Sequence, residues 1–197
     1  MSFHPVPVVL DGRAVRLEPL EERHAEDLLH AGQDEGIWRY MPIPPPHSLE
    51  EISGWIAEAL AMRDSGAQIP FAIIHVPTGK AIGSTRFLEI ERAHGTLEIG
   101  WTWIAKEHQR SRANTECKFL MLTHAFEDLK AMRVQFKTDG RNLRSQRAIE
   151  RLGGVREGTL RKHSRLWDGY VRDTVFFSIL DSEWPGIRQR LKAILQR

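Results

Sequence analysis

Three apolar runs follow one another at residues 70–76, 81–90 and 96–104, joined only by "PTGK" and "RAHG". Links this short connect antiparallel neighbours, because a parallel return needs a crossover of about a dozen residues or more. Such a crossover comes next. A run from about Ala113 to Ala131 has apolar positions around much of a helical circumference, the pattern of a helix buried against a sheet. The strand-like "RVQFKTD" (133–139) follows it, with Val134 and Phe136 on one face. A strand, a helix and a strand of these lengths place 133–139 parallel to 96–104. One sheet must therefore hold an antiparallel meander and a parallel pair, and few architectures do both.

The rest of the chain supplies flanks for that sheet. "VVLDGRAVRLEPL" reads as a hairpin with Asp11-Gly12 as its tight turn. A helix is expected over Glu21 to Ala31. The proline-rich "MPIPPPHS" (41–48) then forms a rigid loop. Ser48 and Glu51 make a capping box for a helix with Ile52, Trp55, Ile56, Ala59 and Leu60 on one stripe. "NLRSQRAIERLGG" is a helix from about Asn142 to Gly153-Gly154. The stretch after it is a long hairpin about Asp168-Gly169, and a basic amphipathic helix ends the chain. The 197 residues show no linker or repeat and suit a single domain, 1–197.

Composition narrows the function classes. No apolar run approaches the roughly 20 residues that span a bilayer, and "MSFHPVPVVLDG" lacks the basic-then-apolar pattern of a secretory signal. The single cysteine, Cys117, lies in the apolar "TECKFLML" and reads as an inert core thiol. It fits a reducing compartment, so a cytoplasmic location is expected. The nine histidines show no metal-binding spacing, and no metal is expected. Net charge is +2, but residues 1–70 lean to −7 and residues 133–172 to +7. A cleft between such regions can take ligands of opposite sign, although two solvated faces explain the counts equally well. The basic stretch also admits an RNA- or ribosome-associated module, but Phe136, Trp167 and Tyr170 fall in strand patterns. That leaves no exposed aromatics to stack on bases, so nucleic acid is not the expected partner.

The most informative local feature is "HQRSRANTE" (108–116), between the third strand and the buried helix. The first N–H groups of a helix lack intrahelical partners and carry partial positive charge, a geometry that binds phosphate. Gln109, Arg110, Ser111 and Arg112 add donors, and Ala113, Asn114 and Thr115 open the helix. The stretch reads either as a pyrophosphate cradle or as an arginine-rich surface turn capped by Asn114 or Thr115. No P-loop or dinucleotide fingerprint competes with it.

Together "LEIGWTWI", "HQRSRANTE", "HAFEDL", "RVQFKTDGRNLRSQRAIERLGG", "REGTLR" and "DGYVRDTVFFSIL" resemble the GNAT acyl-CoA-dependent N-acyltransferases, especially the RimJ/RimL-like branch that acts on ribosomal-protein N-termini. "IWRYMP" (37–42) is similar to that branch's acceptor-side loop. The resemblance implies an α/β (α+β) fold: a mixed, mostly antiparallel sheet, helices on both faces and a splayed parallel central pair. It implies acetyl-CoA, or another acyl-CoA, as co-substrate and a primary amine as acceptor, either a protein N-terminus or a small molecule. It also suggests a homodimer.

By the same resemblance Glu98 is the catalytic carboxylate, Trp103 and Ile104 give backbone donors for the oxyanion and Gln109 to Thr115 hold the pyrophosphate. Asn142 bonds the pantetheine amide, Ser145 protonates the leaving thiolate and Arg147, with Arg144 and Arg151, flanks the CoA phosphates. Trp38, Tyr40 and Met41 become acceptor contacts. Each has a plainer reading: Glu98 as a paired strand carboxylate, Asn142 and Ser145 as helix-start residues, the aromatics as core. One departure stands out. The family's turn usually carries glycine where this chain has Arg112 and a second small residue where it has Asn114, which raises the alternative of a member that binds CoA without turnover.

Overall fold

The computed structural model describes residues 3–196; Met1 and Ser2 of the expected chain start and Arg197 of the expected last helix lie outside them. Eight strands form one sheet: β1 (Leu10–Asp11), β2 (Val15–Pro19), β3 (Ile69–His75), β4 (Lys80–Glu91), β5 (Thr96–Ile104), β6 (Arg133–Asp139), β7 (Val155–Arg165) and β8 (Val171–Leu180). Their order across the sheet is β1-β2-β3-β4-β5-β6-β8-β7. β3, β4 and β5 form the expected antiparallel meander, and β5 pairs parallel with β6.

The helices are α1 (Ala25–Ala31), α2 (Leu49–Asp64), α3 (Ala113–Thr123), α4 (Leu143–Leu152) and α5 (Trp184–Gln196). α1 and α2 pack together over β3 and β4, while α3 packs on β1, β2 and α5. Consecutive β4 residues show that these are opposite faces. Thr85 touches Met121 of α3, whereas the Arg86 guanidinium lies over the Trp55 ring of α2. Ser48 caps α2, accepting from the Glu51 N–H at 3.2 Å, but the Glu51 carboxylate takes the His47 N–H rather than that of Ser48.

Three local expectations are corrected. The helix expected from Glu21 begins as a 3₁₀ turn at Glu22–His24 and is α-helical only from Ala25. The helix expected to Ala131 leaves α geometry after Thr123 and ends in a π-type turn, His124–Asp128, closed by the Leu129 N–H on His124 O at 3.0 Å. The first hairpin is not tight, because β1 ends at Asp11 and β2 starts at Val15. Its loop is held by the Glu116 carboxylate of α3, which accepts the N–H groups of Arg13, Ala14 and Val15 at 3.0, 2.6 and 2.8 Å. Gly12 permits this approach, since a Cβ there would stand 2.9 Å from the Glu116 carboxyl carbon.

Candidate active site

β5 and β6 pair only through Thr96–Arg133, Leu97–Val134 and Glu98–Gln135. Beyond Glu98 they part. β6 stays paired with β8 as far as Asp139–Thr174, and β5 stays beside β4 as far as Ile104–Gly83. The two strand edges that face each other therefore open into a wedge. Each edge then leads into a helix start, Ala113 of α3 on one side and Leu143 of α4 on the other.

A bulge sits at the opening. Arg86 pairs with Gly100 and Ser84 with Trp103, so β5 carries one extra residue. Trp101 absorbs it at φ +52°. Above the bulge the strands return to close contact at Gly83, where a Cβ would lie 2.1 Å from the Trp103 carbonyl oxygen. The Ala105 N–H bonds Ile82 O of β4 at 2.8 Å. Backbone groups of an antiparallel strand alternate in direction, so Trp103 also faces β4 and Ile104 faces the wedge. The Ile104 carbonyl agrees, because it accepts from Gln109 Nε2 at 2.9 Å rather than from β4. Of the two expected backbone donors, only the Ile104 N–H points into the wedge.

The turn after β5 builds an amide-lined helix start. Ser111 Oγ donates to His108 O at 2.6 Å and accepts the Ala113 N–H at 3.1 Å. The Glu116 N–H is taken by Arg112 O. The N–H groups of Asn114 and Thr115 have no partner among the described residues. Arg112 has a helical backbone, φ −71°, and its guanidinium is turned toward Leu195 O of α5 at 3.4 Å. The left-handed residue of the turn is instead Arg110, φ +60°, two positions earlier. Nothing in the residue type signals it. Gln109 is committed to protein: besides Ile104 O, its Oε1 accepts from Arg144 Nη1 of α4 at 2.6 Å. That bond ties the two sides of the wedge at its open end.

On the α4 side Asn142 is the cap, its Oδ1 accepting the Ser145 N–H at 3.0 Å. Ser145 is half-buried in the first turn and Arg147 is exposed. At the apex Glu98 is 1% exposed. Gln135 Nε2 donates to it at 3.0 Å, and Lys137 Nζ lies 3.2 Å from the same oxygen. Burial pushes its carboxyl above the usual range, although Lys137 and Gln135 act against the shift. Gln135 and Lys137 were not singled out from sequence. Their alternation along "RVQFKTD" placed them opposite the apolar face, but the register that sets them beside Glu98 is a tertiary fact.

On the expected acceptor side, Trp38 is fully buried against the Trp103 ring, with centroids 5.1 Å apart, and Met41 is also in the core. Both fit the plainer reading of core residues rather than that of acceptor contacts: their apolar bulk closes the layer between α1, α2 and the sheet. Tyr40 is half-buried and remains at the surface. It meets Arg141, whose guanidinium lies 5.6 Å from the Tyr40 ring and 3.3 Å from the Tyr170 ring while pairing with Asp139 at 2.9 Å. Trp167 and Tyr170 are exposed in the β7–β8 turn, not held in strands as the sequence pattern suggested. Among the described residues no three metal-capable side chains converge, and no helix is long and apolar enough to cross a membrane.

Residues 14–155 match the family model of the Acetyltransferase (GNAT) domain. A GCN5-related N-acetyltransferase from Brucella melitensis superposes with a TM-score of 0.91 at 34% identity, over 96% of this chain and 86% of that one. RimJ of Mycobacterium smegmatis, solved in complex with CoA-disulfide, shares the fold with a TM-score of 0.82 at 20% identity, over 97% and 95% of the two chains. A Bacillus subtilis protein provisionally named ribosomal N-acetyltransferase YdaF is 32% identical over 108 residues, 55% of this chain and 58% of its own.

Proposed function

The chain belongs to the GNAT acetyltransferase family, and from that premise we propose that it moves an acetyl group from acetyl-CoA to a primary amine by direct attack. The observation that carries this reading is the wedge, in which β5 and β6 part immediately after Glu98 and each runs to a helix start. The free amides of Asn114 and Thr115, with Arg110 beside them, receive the pyrophosphate. Asn142 and Ser145 border the pantetheine arm, and Arg147 stands near the phosphates. The helical φ of Arg112 and its outward guanidinium leave this cradle unblocked, which removes the ground that Arg112 gave for a CoA-binding protein that does no chemistry.

The amine nitrogen attacks the thioester carbonyl carbon, and the oxyanion so formed accepts from the Ile104 N–H. The amine proton passes to Glu98, directly or through water. When the C–S bond breaks, the thiolate takes the Ser145 hydroxyl proton, which solvent then restores. From the neutral amine the products are an amide and CoA thiol, the proton held by Glu98 balancing the one taken through Ser145; an amine that starts as the ammonium releases one further proton. An α-amino group, with a pKa of about 8, yields its proton far more readily than a lysine at about 10.4. That difference and the name carried by YdaF favour a polypeptide N-terminus as acceptor, with the Tyr40, Arg141 and Tyr170 cluster as its candidate contact. The single buried thiol suits a reducing, cytoplasmic setting, and the resemblance to the RimJ/RimL-like branch is the ground for a homodimer. Intact-mass analysis of peptides and small amines incubated with acetyl-CoA tests the reading. A gain of one acetyl group on an α-amine supports it, and CoA binding without any acylated product contradicts it.

A further inference from the structure

Lys118 of α3 is the only buried lysine among the described residues, and it makes no ion pair there. Its ammonium donates to Thr85 Oγ1 of β4 at 3.2 Å and to Thr102 Oγ1 of β5. Those hydroxyls stand 2.8 Å apart, and both lie near the Gly100 carbonyl oxygen, at 3.5 and 3.4 Å. Gly100, Trp101 and Thr102 are the β5 bulge. Lys118 thus fills the break in the β4–β5 ladder from the face opposite α2. The titratable groups nearest it on its own helix are Cys117, a buried thiol, and Glu116, whose carboxylate is turned to the first hairpin. Among the described residues its hydrogen-bond partners from β4 and β5 are the two threonines, and the Met121 sulfur of α3 lies beside Thr85.

A side chain needed only to fill this space could be a methionine, which is similar in length and carries no charge to desolvate. A buried cation without a counter-charge costs stability, and burial pulls this lysine down to about 8. Its position offers a return for that cost, since it grips the residues that turn β5 away from β6 and set the direction of the Ile104 amide.

We propose that Lys118 is a positioning residue of the transfer site, holding the Gly100–Thr102 bulge from behind the sheet so that the β5 edge meets the thioester. The proposal rests on the reading of the wedge as the acyl-CoA site. It predicts that charge at Lys118 supports acyl-CoA binding and turnover while weakening the fold.

The test compares wild type with Lys118→Met and Lys118→Arg by thermal melting at pH 7, calorimetric acetyl-CoA affinity between pH 7 and 9.5, and turnover. Lys118→Met is expected to melt no lower than wild type, yet to lose roughly tenfold or more in kcat/KM. Wild-type affinity for acetyl-CoA, which carries no free thiol, should weaken at least about threefold from pH 7 to 9.5 as the ammonium deprotonates, and the methionine variant should show no such change. Lys118→Arg should restore part of the affinity and make it independent of pH over that range. Parallel loss of melting temperature and activity in Lys118→Met, or unaltered activity with the same pH response, overturns the proposal. Wild type that binds acetyl-CoA while Lys118→Met binds it equally well rejects this role alone. Wild type that binds no CoA rejects the acyl-CoA reading and this role with it.

Discussion

In the proposed reaction, Glu98 concentrates the proton transfer in one buried carboxylate. Burial raises its pKa, which suits a base that must hold a proton briefly, and Lys137 acts against that shift. Glu98→Gln is expected to lower kcat by about 10²–10³-fold while acetyl-CoA affinity changes little. In wild type the rate should fall as pH drops through a value above the ordinary carboxylate range, and the variant should lack that limb. Stability moves the other way. Folded Glu98 keeps its proton to higher pH than the unfolded chain, so folding loses stability as pH rises through that interval. Glutamine carries no such loss, and Glu98→Gln should therefore melt no lower than wild type at pH 7. Asn142 shows the opposite balance. Its side chain caps α4, so Asn142→Ala should cost about 1 kcal/mol, a fall of roughly 2–4 °C in Tm for a chain of this size. The acid before Ile99-Gly100 was visible in the sequence as a candidate, because a residue type at one position is a local fact. Its partners were not, since they come from a strand 37 positions away whose register is set by packing.

The elements around the wedge explain how the turn proposed to hold phosphate accommodates Arg112. Glycine matters in such turns where φ is positive or backbone must come close. Here the positive φ falls on Arg110, and Arg112 already has helical geometry. Arg112→Gly is accordingly expected to change acetyl-CoA affinity by less than about threefold; a tenfold gain in calorimetry would show that the side chain obstructs the cradle after all. α3 also anchors the far edge of the sheet through Glu116, whose carboxylate accepts three N–H groups of the first hairpin. Removing a charged acceptor from several donors costs about 3 kcal/mol. Glu116→Ala should then lower Tm by roughly 6–12 °C. Sequence reading placed a tight Asp11-Gly12 turn in this hairpin. It erred because the loop is closed by a side chain about a hundred residues away, and turn propensity reports only what the local chain prefers.

At the scale of the molecule, link length and hydrophobic period were enough to give a meander, a crossover and a parallel pair, because they limit connectivity whatever the side chains do. They do not reveal where the pair stops. The divergence after Glu98–Gln135, the bulge at Trp101 and the turning of the Ile104 amide all follow from how β4, β5 and α3 fit together. Burial likewise reassigned Trp38 and Met41 to the core, while exposing Trp167 and Tyr170. The central claim is that the wedge and its two helix starts hold acyl-CoA. Hydrogen–deuterium exchange with saturating acetyl-CoA addresses it most directly. Protection should appear at Ile104, across 110–115 and around 142–145, with the outer strands β1 and β7 unchanged. Protection confined to other elements, or none at a concentration where calorimetry shows binding, would contradict it.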